Sequence, residues 1–176
     1  EEMIDRATNF IQRHYKNFTS MSWVYSCGAG ANYGTALESA LKMGETIHIP
    51  SCCYEIEEYI HGPNLQLTPQ YNVIFFDGND GASRRVEQVY KATRKVSNRA
   101  YLISNNPQLS SDDHVLSLSD TVSSELCPLV YLPFVQLLSF IVSNDLHSIY
   151  QHPLLKEFKA IAAAKTENFV NYDGDD

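Results

Sequence analysis

The pattern of apolar and polar positions predicts strands that alternate with helices. "SWVYSC" at 22–27 and "NVIFFD" at 72–77 are typical of buried strands, and "RAYLISN" and "HVLSLS" predict two more. "TIHI" at 46–49 predicts a fifth strand, which Pro50 would end. Strands joined through helices by short links indicate an α/β fold, with a parallel sheet and helices on both faces.

Helical spacing of apolar residues predicts a helix over 3–16, a second from the turn after the first strand to about Met43, and a short one at "EIEEYI". "ASRRVEQVYKATRKV" and "PLVYLPFVQLLSFIVSNDL" predict two long helices. In the first helix the apolar residues at helical spacing are Ile4, Ala7, Phe10 and Ile11, which is typical of a surface helix. The side chains of the second helix that are expected in the core are Tyr33, Ala36, Leu37, Ala40 and Leu41.

Composition narrows the class of protein. The 176 residues suit one domain, 44% of them are hydrophobic, and the net charge is −8. Without a Lys/Arg cluster, binding to nucleic acid or an anionic membrane is not expected. The apolar runs read as too short and interrupted to span a bilayer. Four cysteines fit reduced thiols and a cytoplasmic location rather than a disulfide scaffold.

A glycine-rich turn, "GAGANYG" at 28–34, joins the first strand to the second helix. Backbone amides at such a helix start can bind anions or sugar hydroxyls. A dinucleotide site would also need an acidic residue at the end of the next predicted strand, which here reads Ile49-Pro50-Ser51. Glycines that merely permit a tight turn are the simpler interpretation.

The stretch 44–63 concentrates the candidate chemistry. Glu45 follows a glycine at a helix C-terminus, where the dipole disfavours a carboxylate, so we expect a raised pKa that suits a proton-abstracting base. Glu58 lies three residues before His61 and could orient its imidazole.

Five other residues of this stretch are expected to do no chemistry. His48, Cys52, Cys53 and His61 do not have a recognised metal-ligand spacing, so no metal is expected. His48 is expected to be a core histidine of its strand, and the two cysteines to be small packing residues. Glu55 and Glu57 are expected on a solvated helix face.

The motifs "GAGANYG", "ALESALKMGE" and "EEYIHGP" resemble the second sugar isomerase (SIS) domain of proteins similar to the isomerase half of glucosamine-6-phosphate synthase. They also resemble fructosamine- and glucoselysine-6-phosphate deglycases. "NVIFFDGND" and "PLVYLPFVQLLSF" extend the match over about 20–153, and Glu45 and His61 stand sixteen apart, as the family's paired catalytic residues do.

The resemblance implies a three-layer αβα sandwich of flavodoxin type with a five-stranded parallel sheet, no cofactor, a phosphosugar substrate and a homodimer. Glu45 would be the base that moves a proton between C1 and C2, and Lys42 would match the lysine one turn earlier. His61 would assist ring opening, often in the neighbouring subunit's site. The substrate-binding residues would be Gly28, Ala29, Gly30 and Glu58.

This sequence departs from the family at two places. The phosphate loop S-x-S-G-x-T-x-E has no counterpart, since "SLSDTVSSE" at 117–125 lacks the glycine. Lys156 and Lys159 are in poor register with the lysine after the synthase's final helix. We therefore expect residues 1–176 to be one SIS domain with a tail at 154–176, preceded by another SIS domain and inactive in isolation. The alternative is a non-catalytic SIS module that binds a sugar phosphate.

Overall fold

The structure, a computed structural model, describes residues 2–119, 122–148 and 155–162. The strands are β1 (Val24–Gly28), β2 (Ser51–Glu55), β3 (Asn72–Asp77), β4 (Ala100–Ser104) and β5 (Val115–Ser117). The helices are α1 (Glu2–Arg13), α2 (Tyr15–Thr19), α3 (Asn32–Ile47), α4 (Ile56–Ile60), α5 (Ser83–Thr93), α6 (Cys127–Asp145) and α7 (Leu155–Ala162).

All five strands pair in parallel, in the order β2-β1-β3-β4-β5. Alternate residues of β3 face opposite sides: Ile74 and Phe76 pack in a cluster with α1, α3 and α6, and Val73 and Phe75 in one with α4 and α5. The predicted three-layer αβα sandwich with a five-stranded parallel sheet is therefore confirmed.

The predicted strand at 46–49 is wrong. The α3 helix continues through Gly44 to Ile47 and ends at His48, which has a left-handed backbone (φ 62°). The strand instead begins at Ser51, beyond Pro50, and forms the edge of the sheet. His48 is exposed at this helix end, so the expectation of a core histidine is also wrong.

Two of the expected core side chains lie outside the core. Leu37 and Leu41 are 48% and 52% exposed. The buried face of α3 instead presents small residues, among them Ala36 and Ser39, which let the helix lie close to the sheet and α6. Periodicity alone placed the apolar stripe one position away from the true contact face.

The expectation that no apolar run could span a bilayer is wrong as regards length. Ser124–Asp145 covers 22 residues and is apolar enough, by length and composition, to cross a membrane. In this fold one side of α6 packs against α1 and α3 and buries Tyr131, Phe134 and Leu138. A long apolar helix in the core of a domain also meets this criterion of length and composition.

Candidate active site

Glu45 lies in the last turn of α3, where its carboxylate is held by a lysine. Lys42 Nζ donates to Glu45 Oε2 at 2.9 Å and lies 3.5 Å from Glu38 Oε1. The hydrogen bond to Glu45 raises the pKa of Lys42, so its ammonium is charged at neutral pH. The Glu45 side chain is 49% exposed. Burial of this carboxylate would have to come from another domain or subunit.

A shallow, open concavity of about 560 Å³ lies beside this ion pair. Leu37 and Leu41 of α3 and Ser51 and Cys53 of the edge strand line it together with Glu45. The two leucines that were expected in the core therefore form an apolar wall next to the carboxylate. A small polar substrate could rest here only if a further surface closed the concavity.

His61 follows the last residue of α4 and is exposed. Its Nδ1 lies 2.6 Å from the carbonyl oxygen of Glu57. Because a carbonyl can only accept, Nδ1 carries the proton in this bond, and the neutral ring then has its lone pair on Nε2. The turn thus holds the imidazole of His61 through Nδ1 at an exposed position.

Glu58 does not orient His61, so that prediction is wrong. Its carboxylate accepts from the backbone N–H of Glu55 at 3.2 Å, while Glu55 accepts from the N–H of Glu57 at 2.6 Å, which forms a capping box at the start of α4. Glu57 instead forms a bidentate pair with Arg85 of α5, at 2.7 and 3.1 Å. These hydrogen bonds lower the pKa of Glu57.

The structure does not bring Glu45 and His61 together. The helix that carries Glu45 packs on one face of the sheet, and α4, which precedes His61, packs on the other. Helices are about 10 Å across, so axes on opposite faces of a sheet are roughly 20 Å apart. Among the described residues no hydrogen bond or ion pair joins the two side chains. One copy of the chain therefore does not assemble both groups into one site.

The glycine turn is also remote from Glu45. Gly28 ends β1, Ala29 is buried, and Gly30 adopts a left-handed backbone (φ 55°) just before α3 begins. Glu45 lies fourteen positions after Ala31 along α3, which corresponds to about 20 Å at 1.5 Å per residue. A single small substrate cannot contact the turn and Glu45 of one chain.

The sequence did not lead us to predict the polar network at the carboxyl end of β3. Asp77 is fully buried, and its carboxylate accepts from Ser83 Oγ, from Ser104 Oγ at 2.7 Å and from the N–H of Asn79 at 3.0 Å. Tyr131 donates to the carbonyl of Asp77 at 2.7 Å. "DGND" reads only as a turn in the sequence. The network could have been predicted from the position of "DGND" directly after a central parallel strand, because α/β folds bind ligands at that end of the strands.

The cysteines and His48 do not gather into a metal site. Cys52 is exposed and Cys53 half-buried, because neighbours in a strand point to opposite faces. Burial raises the pKa of Cys53 to about 11. Within 2–119, 122–148 and 155–162, no three His, Cys, Asp or Glu side chains are grouped as metal ligands.

Two further expectations fall partly outside the described residues. The side chains of Lys156 and Lys159 lie outside the described residues. Of the tail at 154–176 only α7 is described. Two positions of the segment 117–125, the part of the sequence most similar to a phosphate loop, are also outside the described residues.

No protein-family model matches this chain. The chain is 30% identical over 131 residues to the glutamine–fructose-6-phosphate aminotransferase [isomerizing] of Methanothermobacter thermautotrophicus, covering 72% of this chain and 22% of that protein. It spans about a quarter of the length of the curated relatives that it matches.

The solved structures that resemble this one share its fold. A candidate phosphosugar isomerase of Clostridium difficile 630 superposes with a TM-score of 0.79 at 21% identity, covering 94% of this chain and 46% of that chain. The C-terminal domain of glucosamine-fructose-6-phosphate aminotransferase from Francisella tularensis gives 0.69 at 23% identity, covering 81% and 41%. The chain thus has the sugar isomerase (SIS) fold and resembles the isomerase half of glutamine–fructose-6-phosphate aminotransferase.

Proposed function

We propose that this chain is the catalytic SIS domain of a phosphosugar isomerase or deglycase. The substrate would be a 6-phosphorylated amino sugar or a fructosamine. The observation that carries the proposal is the Lys42–Glu45 pair at the end of α3, beside an open concavity. The sequence similarity to an isomerizing aminotransferase supports the same reaction class.

In the proposed reaction the Glu45 carboxylate removes the proton from one of the two carbons C1 and C2. An enediol or enolamine forms, and the same carboxyl group returns the proton to the other carbon. Lys42 fixes the position of the carboxylate through its hydrogen bond to Oε2. His61, whose ring is held through Nδ1 at an exposed position, would assist opening of the sugar ring by moving the hydroxyl proton.

A complete site would need more than one copy of this domain. Glu45 and His61 lie on opposite faces of the sheet, so each copy would supply Glu45 to one site and His61 to another. This supports the proposal of a homodimer, and a preceding SIS domain would supply the phosphate loop. The free state of all four cysteines supports the proposed cytoplasmic location.

The second candidate is a non-catalytic SIS module that binds a sugar phosphate. Its specific support is that the described residues form no enclosed pocket around Glu45, whose side chain is half-exposed. The two candidates differ in whether turnover depends on this carboxylate.

The test is turnover by the full-length protein that contains this chain, with Glu45→Gln and the matched control Glu38→Gln. Both glutamates are paired with Lys42, on the same helix. The substrates are fructose 6-phosphate with ammonia, glucosamine 6-phosphate and fructosamine 6-phosphates. Glu45→Gln is expected to lower kcat at least about 100-fold, and Glu38→Gln only a few-fold.

Deuterium uptake from D₂O into the sugar at C1 or C2 should be lost in parallel with kcat. If Glu45→Gln turns over its preferred substrate at the wild-type rate, Glu45 is not the base. If the wild-type protein binds these sugars without turnover on any of them, the non-catalytic module is the better description.

A further inference from the structure

The outward side of α6 carries no charge and is open to solvent in the described part of the chain. No Asp, Glu, Lys or Arg occurs between Glu125 and Asp145. A surface helix normally has charged and polar residues on the side that faces water, and a helix that is apolar all round is normally buried. Only 44% of the most apolar 18 residues of this helix are buried. The isolated fold thus leaves an apolar surface uncovered.

We define the α6 outer face by Leu129, Pro133, Gln136 and Phe140, which follow one another at spacings of four, three and four residues and so share one side of the helix. Leu129 is 68% exposed and Phe140 is 66% exposed. These two side chains are about 16 Å apart along the helix axis, so the surface is extended. Extended apolar surfaces mark sites of contact with another protein or with a membrane.

The α6 outer face lies over the middle of the sheet. The sides of α6 pack against α1 and α3, of which α1 contacts β5 and α3 contacts β1 and β2, toward the two opposite edges of the sheet. The last described helix, α7, does not cover the face. Phe140 stays exposed in its presence, and Phe158 and Ile161 of α7 are themselves exposed.

A second copy that completes the proposed isomerase site would meet this chain elsewhere. Glu45 lies at the end of α3 and His61 follows α4, on opposite faces of the sheet. Both helices contact the edge strand β2, so two copies that exchange these groups would meet at that edge. The α6 outer face, over the middle of the sheet, would stay uncovered in such a dimer.

A second domain of the same polypeptide fits this surface best. The chain covers 46% and 41% of two solved chains that share its fold, so each of those chains has a further region of similar length. Domains of one chain bury roughly 600–1,500 Å² against each other, which requires an extended surface. We propose that the α6 outer face packs against the preceding SIS domain of the same polypeptide. The inference rests on the part of the proposed function that places such a domain before this chain.

The test is cysteine alkylation of the purified full-length protein that contains this chain. Leu129→Cys and Phe140→Cys each place a thiol on the α6 outer face. Val96→Cys is the matched control, because Val96 is half-exposed and follows α5, which packs on the other face of the sheet. Mass spectrometry of separate peptides keeps the exposed Cys52 from interfering. Leu129→Cys and Phe140→Cys should react at least tenfold more slowly than Val96→Cys, and all three at similar rates in urea.

A photo-crosslinker identifies what covers the face. With p-benzoylphenylalanine in place of Phe140, irradiation should join α6 to a peptide that precedes Glu1 in the same polypeptide, without a change of mass. A product of twice the mass, with no upstream peptide in any crosslink, would overturn the proposal in favour of a second copy. Fast alkylation of Phe140→Cys that slows only when phosphatidylcholine vesicles are added would overturn it in favour of a membrane.

A charge on the α6 outer face should open the contact. Phe140→Lys should raise the alkylation rate of Leu129→Cys at least tenfold, because a buried unpaired ammonium is costly, and Val96→Lys should change that rate less than twofold. Circular dichroism checks that both variants fold. An alkylation rate that Phe140→Lys leaves unchanged would overturn the proposal, as would equal rates for Phe140→Cys and Val96→Cys in the folded protein.

These measurements do not depend on turnover, so the two proposals can fail separately. If Glu45→Gln abolishes turnover while Phe140→Cys reacts as fast as Val96→Cys, the proposed function stands and this inference is wrong. If Phe140→Cys is protected and the crosslink reaches an upstream peptide while Glu45→Gln is fully active, this inference stands and the role of Glu45 is wrong.

Discussion

Replacing Gly28 with alanine tests how closely α3 approaches the first strand. Gly28 is the last residue of β1, and a Cβ there would lie 2.3 Å from the carbonyl oxygen of Asn32 and 2.7 Å from its carbonyl carbon. These are backbone atoms of the first turn of α3, so no side chain can rotate away. The helix start would have to move off the sheet, and overpacking of this kind costs roughly 1–3 kcal/mol or more.

Gly34→Ala is the matched control on the same helix. A Cβ on Gly34 meets nothing within 4 Å, and alanine stabilises a helix interior by about 0.5–1 kcal/mol relative to glycine. The two variants should therefore differ in unfolding free energy by roughly 2–4 kcal/mol, with opposite signs relative to the wild type.

Urea unfolding followed by far-UV circular dichroism measures this difference, with equal m-values required for the comparison. A thermal scan should show melting temperatures that differ by at least about 4 °C for a chain of this size. A Gly28→Ala protein as stable as the wild type would refute the packing of α3 on β1.

Three further predictions concern the rest of the chain. Burial lowers the pKa of His114, so below about pH 6.5 the unfolded chain binds more protons than the folded chain. The free energy of unfolding should therefore fall when the pH is lowered from about 7.5 to about 5.5, and His114→Asn should make it depend less on pH. Exposed Cys52 should be the one thiol that reacts rapidly with a disulfide reagent at pH 8, because burial raises the pKa of Cys53 to about 11. Leu41→Gln should change unfolding free energy by less than about 0.5 kcal/mol, whereas Met43→Ala, at a fully buried position, should cost about 2–5 kcal/mol.

Each of these has a contradicting result. A pH dependence unchanged by His114→Asn would mean that another group titrates. Two or more rapidly reacting thiols in the native chain would contradict the burial of the other cysteines. A large loss of stability in Leu41→Gln would restore that residue to the core, where periodicity first placed it.

The parallel sheet and the helices on both of its faces were predictable from the sequence because the central strands are apolar without interruption. "NVIFFD" at 72–77 matches β3 residue for residue, since a strand covered on both faces must be apolar at every position. The edge strand β2 was not predicted, because its residues are not uniformly apolar. "SCCYE" at 51–55 is partly solvated and only moderately apolar, whereas "TIHI" has β-branched residues but completes a helix.

The candidate site was only partly predictable. Helical spacing correctly places Lys42 beside Glu45, because residues three apart share a helix face. The same rule suggested that Glu58 meets His61, but a five-residue helix needs its glutamate for the cap. The separation of Glu45 and His61 could not be inferred from their spacing, because it depends on which face of the sheet each connection follows.

The central claim is that Glu45 and His61 act in one site only when two copies of the domain meet. The measurement is subunit complementation: full-length Glu45→Gln and His61→Asn proteins, each inactive alone, are mixed, dissociated and reassociated, and assayed on the preferred phosphosugar. In a mixed dimer one site receives both altered residues and the other receives neither. Random pairing should therefore restore about a quarter of wild-type activity. No activity in the mixture, with mixed dimers shown to be present, would contradict the claim.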